Sequence, residues 1–201
     1  MQTGPNILLE SGQYGGCVEV FALGIPDVKI IKPKKFGDHR GFFSETYNKI
    51  ALASAGINLD FVQDNHSLSS QKGTVRGLHF QLPPFAQDKL VRVPKGSIFD
   101  VAVDVRKKSP TFGKHVSAVI SATEWNQILV PAGFAHGFCT LEPDTEVIYK
   151  VTNYYSLQHD KGLLWNDPKL GIPWPLVGTE AVLSDKDKNQ PLLSQSTDFF
   201  D

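Results

Sequence analysis

The chain has 201 residues, 41% of them hydrophobic, and 20 basic residues against 21 acidic ones give a net charge of −1. That length and apolar content suffice for one domain with a full core, and the balanced charge gives no overall electrostatic case for nucleic acid, so any anionic ligand must meet a local cluster. No apolar run approaches the ~18 residues a membrane span needs. No secretory h-region opens the chain, and Cys17 and Cys139 stand far apart without a CxxC, which indicates neither a disulfide framework nor a zinc knuckle and fits a reducing cytoplasm.

Residues 1–25 are rich in glycine and small side chains and show no sustained period, so they read as an N-terminal extension, with the folded domain over 26–201. From Asp27 onward short strands recur, predicted over 27–33, 41–47, 60–67, 74–81, 88–94, 97–105, 114–121, 127–131, 135–141 and 145–154. The clearest is SIFDVAVDVR, where Phe99, Val101, Val103 and Val105 alternate against Ile98, Asp100, Ala102 and Asp104, so one face carries acids. Two short helices are predicted, one over 48–56 with Asn48 as N-cap and Gly56 as its stop, the other over 184–189 with Ser184 as cap. This cadence is that of an all-β sandwich or barrel with a few short helices.

Two segments carry the chemistry. Residues 127–138, QILVPAGFAHGF, have the spacing Pro131-x-Gly133-x-x-His136, a strand that ends at a Pro/Gly corner and re-enters with a histidine, as a jelly roll does when it turns its chain back into its mouth. Residues 75–81, VRGLHFQ, deliver His79. Side chains alternate along a strand, so Val75, Gly77, His79 and Gln81 share a face, and the two glycine-flanked histidines look into one cavity rather than into a core. A metal-binding barrel would carry His-x-His here. Gln81 takes the place of the second histidine and leaves the ligand set short, so no metal is expected and His79 is free to act as a base. Arg76 falls on the opposite face from His79 unless a bulge, which Gly77 permits, intervenes.

Other polar residues gather beside these strands. GDHRGFFSETY carries Arg40 and Glu45, and FVQDNHS strings together Gln63, Asp64, Asn65 and His66. Lys89 opens the apolar strand KLVRV, either as an ordinary strand-end lysine or as a fixed cation near developing negative charge. Tyr149, on a face with Val147 and Val151, reads equally as a core aromatic and as an acid. Tyr154 and Tyr155 point to opposite faces, so one of them is available to stack on a planar ligand. In Ser184-Asp185-Lys186-Asp187, Asp187 sits in the capping-box position, with the orientation of a histidine as a second use.

The ordered blocks FGDHRGFFSETY, FVQDNHS, RGLHFQ, KLVR, FDVAVDVRKKSPTFG, VPAGFAHGF, YKVTNYYS, LWNDP and LSDKD closely resemble the dTDP-4-dehydrorhamnose 3,5-epimerase family over roughly residues 25–193. The resemblance implies a metal-free, cofactor-free, cupin-type jelly roll, a homodimer, acting on dTDP-4-dehydro-6-deoxy-D-glucose in deoxysugar biosynthesis. It implies His79 as base, Asp187 as its paired carboxylate, Tyr149 as proton donor and Lys89 as the residue beside the sugar ketone. Arg40, Glu45, Gln63, Asp64, Asn65, Arg76, His136, Asp160 and Lys186 are implied as substrate contacts, with Tyr155 stacking on the thymine ring. An early strand that crosses to a twofold partner would make the nucleotide site shared between subunits. The chain departs from the family pattern in its first 25 residues, in a 71–74 loop longer by about one residue, and at Asp160, where a glutamate is common. Relatives on this fold that invert only C3 or only C5 remain an alternative, as do, from other classes, a metal-dependent cupin oxygenase and a catalytically silent sugar-binding cupin.

Overall fold

The computed structural model describes residues 18–178 and 180–201. Two antiparallel sheets face each other. The six-stranded sheet runs in the order β1 (Val18–Ala22), β2 (Lys29–Pro33), β10 (Gln127–Val130), β7 (Lys89–Lys95), β12 (Thr145–Val151) and β5 (Gln63–Ser69). The five-stranded sheet runs β13 (Asp160–Gly162), β6 (Val75–Gln81), β11 (Phe134–Thr140), β8 (Ser97–Asp104) and β9 (His115–Ser121). A separate hairpin of β3 (Phe36–Asp38) and β4 (Gly41–Phe43) projects from neither sheet. Sequence neighbours repeatedly land in opposite sheets, β5 and β6 or β11 and β12 for example, which is the crossing pattern of a jelly roll.

Alternation explains the layers. Ile98 and Ala102 of β8 join Val91, Val93, Ile128, Phe134, Phe138 and Val147 in the core between the sheets. Val101 and Val103 point the other way, into a second cluster with Leu78, Phe80 and Ala135 that partly buried side chains of the C-terminal segment, Trp174, Phe199 and Phe200, pack against. The acids of β8 are fully buried on its inner face, and each is paired. Asp104 takes Arg106, Ser109 and Thr111, which hold its carboxyl down at about 2 although burial opposes them. Asp100 takes His136. On the outer face of the six-stranded sheet, Leu52 and Ile57 of the helical segment cover Ile31, Leu90 and Leu129.

The helices form where the caps place them. Asn48 Oδ1 accepts the N–H groups of Ile50 and Ala51 at 3.0 and 3.1 Å and starts α1 (Lys49–Ser54). Ser184 Oγ accepts Asp187 N–H at 3.1 Å and starts α2 (Asp185–Lys188).

Three expectations change. The sheet starts before the boundary drawn at residue 25: β1 pairs along its whole length with β2, from Val18 opposite Pro33 to Ala22 opposite Lys29. Its alternation, VEVFA, spans too few residues to stand out behind a glycine-rich stretch, while residues 1–17, with Cys17, lie outside the described residues. The strand predicted over 41–47 stops at Phe43, and Phe36–Asp38 pairs with it. Finally β13, three polar residues in DKG, gave no apolar signal and exists because β6 offers it an edge.

Candidate active site

The site is built on an irregularity in β6. Its pairing with β11 runs from His136 opposite His79 to Phe138 opposite Arg76, so Gly77 and Leu78 face the single residue Gly137. The extra residue restores parity, and Arg76 and His79 both line one cavity, as the anticipated bulge requires. Only glycine fits at 77, where φ is +131° and a Cβ would lie 2.5 Å from Gly137 Cα and 2.8 Å from His136 O.

That cavity holds about 520 Å³ and is lined by Arg76, His79, Lys89, His136, Tyr149, Lys186 and Asp187, among others. An adjoining space of about 280 Å³ adds Gln63, Asn65, Gln81, Tyr155 and Asp160, and the two share His79, Lys89, Tyr149 and Lys186. His79 comes from the five-stranded sheet, whereas Lys89 and Tyr149 come from the six-stranded one. Imidazole and phenol therefore approach the cavity from opposite walls.

His79 Nε2 lies 2.5 Å from Asp187 Oδ1, and Asp187 is buried. Burial alone would raise this carboxyl. The hydrogen bond and charge of His79, with Ser184 and the Gly77 N–H, outweigh it and hold Asp187 below the usual carboxylate range. An ionised Asp187 fixes the Nε2–H tautomer and leaves the Nδ1 lone pair to accept a proton. Asp187 thus serves His79 while remaining bonded to Ser184, the cap of its own helix. On the other wall burial pushes the Tyr149 phenol up, against the opposing charge of Arg76, so it is a protonated donor at neutral pH. Desolvation lowers Lys89 to about 8, with Asp160 and Asp100 opposing from a distance, and among the described residues its ammonium reaches only His79 O at 3.4 Å.

The remaining residues divide. His136 is buried, with Nε2 held by both oxygens of Asp100 at 3.0 and 2.9 Å. Gln63 donates to Asn65 at 2.8 Å. The exposed Tyr155 gives its hydroxyl to Asp160 at 2.9 Å, and Lys186 Nζ reaches the same oxygen at 2.5 Å. Asp64 stands apart from the cavity. Strand alternation puts it on the outer face of β5, paired with Lys150 at 2.8 Å, away from Gln63 and Asn65. Arg40 and Glu45 also lie outside their own chain's cavity: Arg40 pairs with Asp38 at 2.6 Å on the β3–β4 hairpin, and Glu45 accepts from Asn48 at 3.2 Å.

Sequence reasoning named two residues without finding what they bind. Asp100 orients His136, and its place in an acidic strand face was visible while its partner depended on the β8–β11 register. Gln81 spends its amide on backbone groups, donating to Phe85 O and Tyr154 O and accepting from Ser156 N–H. It is no metal ligand in this arrangement. Among the described residues no group of three or more His, Cys, Asp or Glu side chains could hold a metal ion.

Residues 22–195 match the family model described as dTDP-4-dehydrorhamnose 3,5-epimerase. A protein of that name from Sinorhizobium fredii is 57% identical over 174 residues, 87% of this chain and 89% of the relative. Among solved structures, a dTDP-4-dehydrorhamnose 3,5-epimerase from Bacillus anthracis with TDP and PPi bound superposes with a TM-score of 0.85 at 54% identity, covering 88% of this chain and 100% of that one. A dTDP-6-deoxy-D-glucose-3,5-epimerase from Legionella pneumophila in complex with dTDP-4-keto-L-rhamnose gives 0.84 at 44% identity, covering 89% and 94%.

Proposed function

The chain belongs to the dTDP-4-dehydrorhamnose 3,5-epimerase family, an isomerase family, and from that premise we propose how its residues invert C3 and C5 of dTDP-4-dehydro-6-deoxy-D-glucose to give dTDP-4-dehydro-L-rhamnose. The C4 ketone acidifies the protons on both neighbouring carbons. Nδ1 of His79 takes one, the electron pair moves into the ketone to form an enolate, and Asp187 supports the imidazolium. Lys89 supplies positive charge to the enolate oxygen. Tyr149 then delivers a proton to the opposite face of the same carbon. Each inversion leaves an imidazolium and a phenolate, which reset by exchange with water.

The observation that carries this reading is the placement of His79 and Tyr149 on facing sheets with one cavity between them. Inversion needs removal on one face and delivery on the other, and a base and an acid from the same wall could only exchange a proton with retention.

The nucleotide reading rests on the second space. Tyr155 offers an exposed ring for thymine, and Arg76, Lys186, His136, Gln63, Asn65 and Asp160 offer polar contacts to the sugar and diphosphate. Arg40 and Glu45 complete the site from a second subunit in a homodimer. Their distance from the chain's own cavity supports this, as do the exposed Phe42 and Phe43 beside them and the position of β5, with Gln63 and Asn65, at the edge of its sheet among the described residues. The enzyme works without a metal or other cofactor, a reading supported by Gln81, which stands where a metal-binding barrel carries a second histidine and whose amide oxygen accepts the Ser156 N–H. A cytoplasmic setting belongs to the same reading. Cys139 is compatible with it as a buried free thiol, and no helix among the described residues is long and apolar enough to cross a membrane.

Incubation with dTDP-4-dehydro-6-deoxy-D-glucose in deuterated water, followed by NMR, tests the reaction. Deuterium at C3 and C5 with inversion at both is the expected result, and incorporation at one carbon alone would overturn the double epimerisation.

A further inference from the structure

We infer that Gln81 is a positioning residue for the nucleotide site, holding Tyr155 ready before substrate arrives. The inference rests on the reading of Tyr155 as the stacking platform. Tyr155 is 59% exposed on a loop, the situation in which an aromatic side chain ordinarily samples several orientations. Here the loop is clamped on both sides of it. Gln81 Nε2 donates to the carbonyl of Tyr154 at 3.0 Å, and Gln81 Oε1 accepts the N–H of Ser156 at 2.7 Å, so one amide grips the residues immediately before and after Tyr155.

The second Nε2 hydrogen goes to Phe85 O at 2.7 Å, which ties the 82–88 loop to the same point. Gln81 itself is only 4% exposed and sits in β6 with β13 beside it, where its Cα partner is Asp160. Asp160 holds the far end of Tyr155 by its hydroxyl and also takes Lys186, the neighbour of Asp187. The ring is thus fixed through its backbone by Gln81 and through its tip by Asp160. His79 and Gln81 lie two residues apart on one strand, so the proton-transfer centre and the platform share a rigid support.

Freezing a mobile loop on binding costs affinity, and a loop frozen in advance avoids that cost. The amide matters because it donates twice and accepts once, a pattern that neither histidine nor leucine reproduces.

The test is a double-mutant cycle of Gln81→Leu and Tyr155→Ala, read by calorimetric affinity for thymidine diphosphate and by kcat and KM. Thermal melting establishes that each variant is folded. Gln81→Leu is expected to weaken the diphosphate and raise KM on the order of tenfold, with kcat within about threefold of the parent. In the Tyr155→Ala background the same substitution should shift affinity less than about twofold. A merely structural glutamine would lower the melting temperature and leave KM alone, or would act equally in both backgrounds, and either result overturns the inference. If Gln81→Leu does not fold, Gln81→Glu, which keeps the acceptor and loses both donors, is read by the same criteria. Should Tyr155→Ala bind the diphosphate normally, the stacking reading falls and takes this inference with it. If Tyr155→Ala weakens binding and the Gln81 variants do not, the inference alone falls.

Discussion

Lys89 is where function and stability oppose each other most clearly. Its ammonium sits in the cavity wall with no carboxylate at ion-pair distance among the described residues, and desolvation takes it from 10.5 to about 8. That fall amounts to about 3 kcal/mol against the charged form. Lys89→Met keeps most of the stem's volume and removes the charge, so it should stabilise the fold by up to about 3 kcal/mol at neutral pH while lowering kcat by roughly 10²- to 10³-fold. The sign with pH follows from linkage. The folded-state value lies below the unfolded one, so between about 8 and 10.5 the unfolded chain binds the extra proton, and wild-type stability rises with pH across that window. Below about 8 both states are protonated and the full cost is present. Urea titrations of the two proteins near pH 7 and near pH 10 measure this, and the advantage of Lys89→Met should shrink at the higher pH. Turnover of the wild type should fall over the same range, as the ammonium proposed to face the enolate is lost. A variant less stable than wild type at neutral pH, by an amount that does not change with pH, would refute the reasoning and make Lys89 a structural cation.

Four further outcomes follow from the site. His79→Ala should abolish deuterium exchange at both carbons, while Asp187→Asn should slow both without altering their ratio; near-normal exchange in a folded His79→Ala protein would exclude it as the base. Tyr149→Phe should leave exchange partly intact while net inversion collapses, measured by NMR on a variant that still binds thymidine diphosphate; wild-type inversion would return Tyr149 to the role of a core aromatic. Activity should survive exhaustive chelation, and loss with EDTA restored by one divalent ion would sink the metal-free mechanism. Mixing equal amounts of Arg40→Ala and His79→Ala subunits, assayed with substrate well below the wild-type KM where an Arg40→Ala site is nearly silent, should recover about a quarter of the wild-type rate, since half the dimers would be mixed and each would hold one intact site. No recovery after subunit exchange would place Arg40 outside any shared site.

The histidine pocket was legible because strand alternation is a local rule. His79, Gln81 and the glycine that lets Arg76 turn inward all follow from seven residues, and the observed bulge at Gly77 is the device the parity argument demanded. Ser184 and Asn48 were legible as caps for the same reason, since a cap needs only its next two or three residues. Partnerships that depend on register were not. Asp100 meets His136 because β8 and β11 pair as they do, and nothing within either strand states that register.

Asp64 shows the opposite hazard. The run Gln63-Asp64-Asn65 matches a family block as a unit, yet a strand cannot present three consecutive side chains to one cavity, and Asp64 goes to Lys150 on the outer face. Resemblance transfers a block, while backbone geometry decides which members of it can share a ligand. The same reasoning bears on Arg40 and Glu45, which belong to a block as specific as the one around His79 but lie away from the cavity, Arg40 in the β3–β4 turn and Glu45 between β4 and α1. A role for them in substrate binding therefore requires a second chain, and it is testable only in the assembled protein. On the proposed reading the two sheets of one chain already supply what inversion needs, His79 on one wall and Tyr149 on the other. What a partner would add is the grip on the nucleotide, so loss of Arg40 should raise KM far more than it lowers kcat.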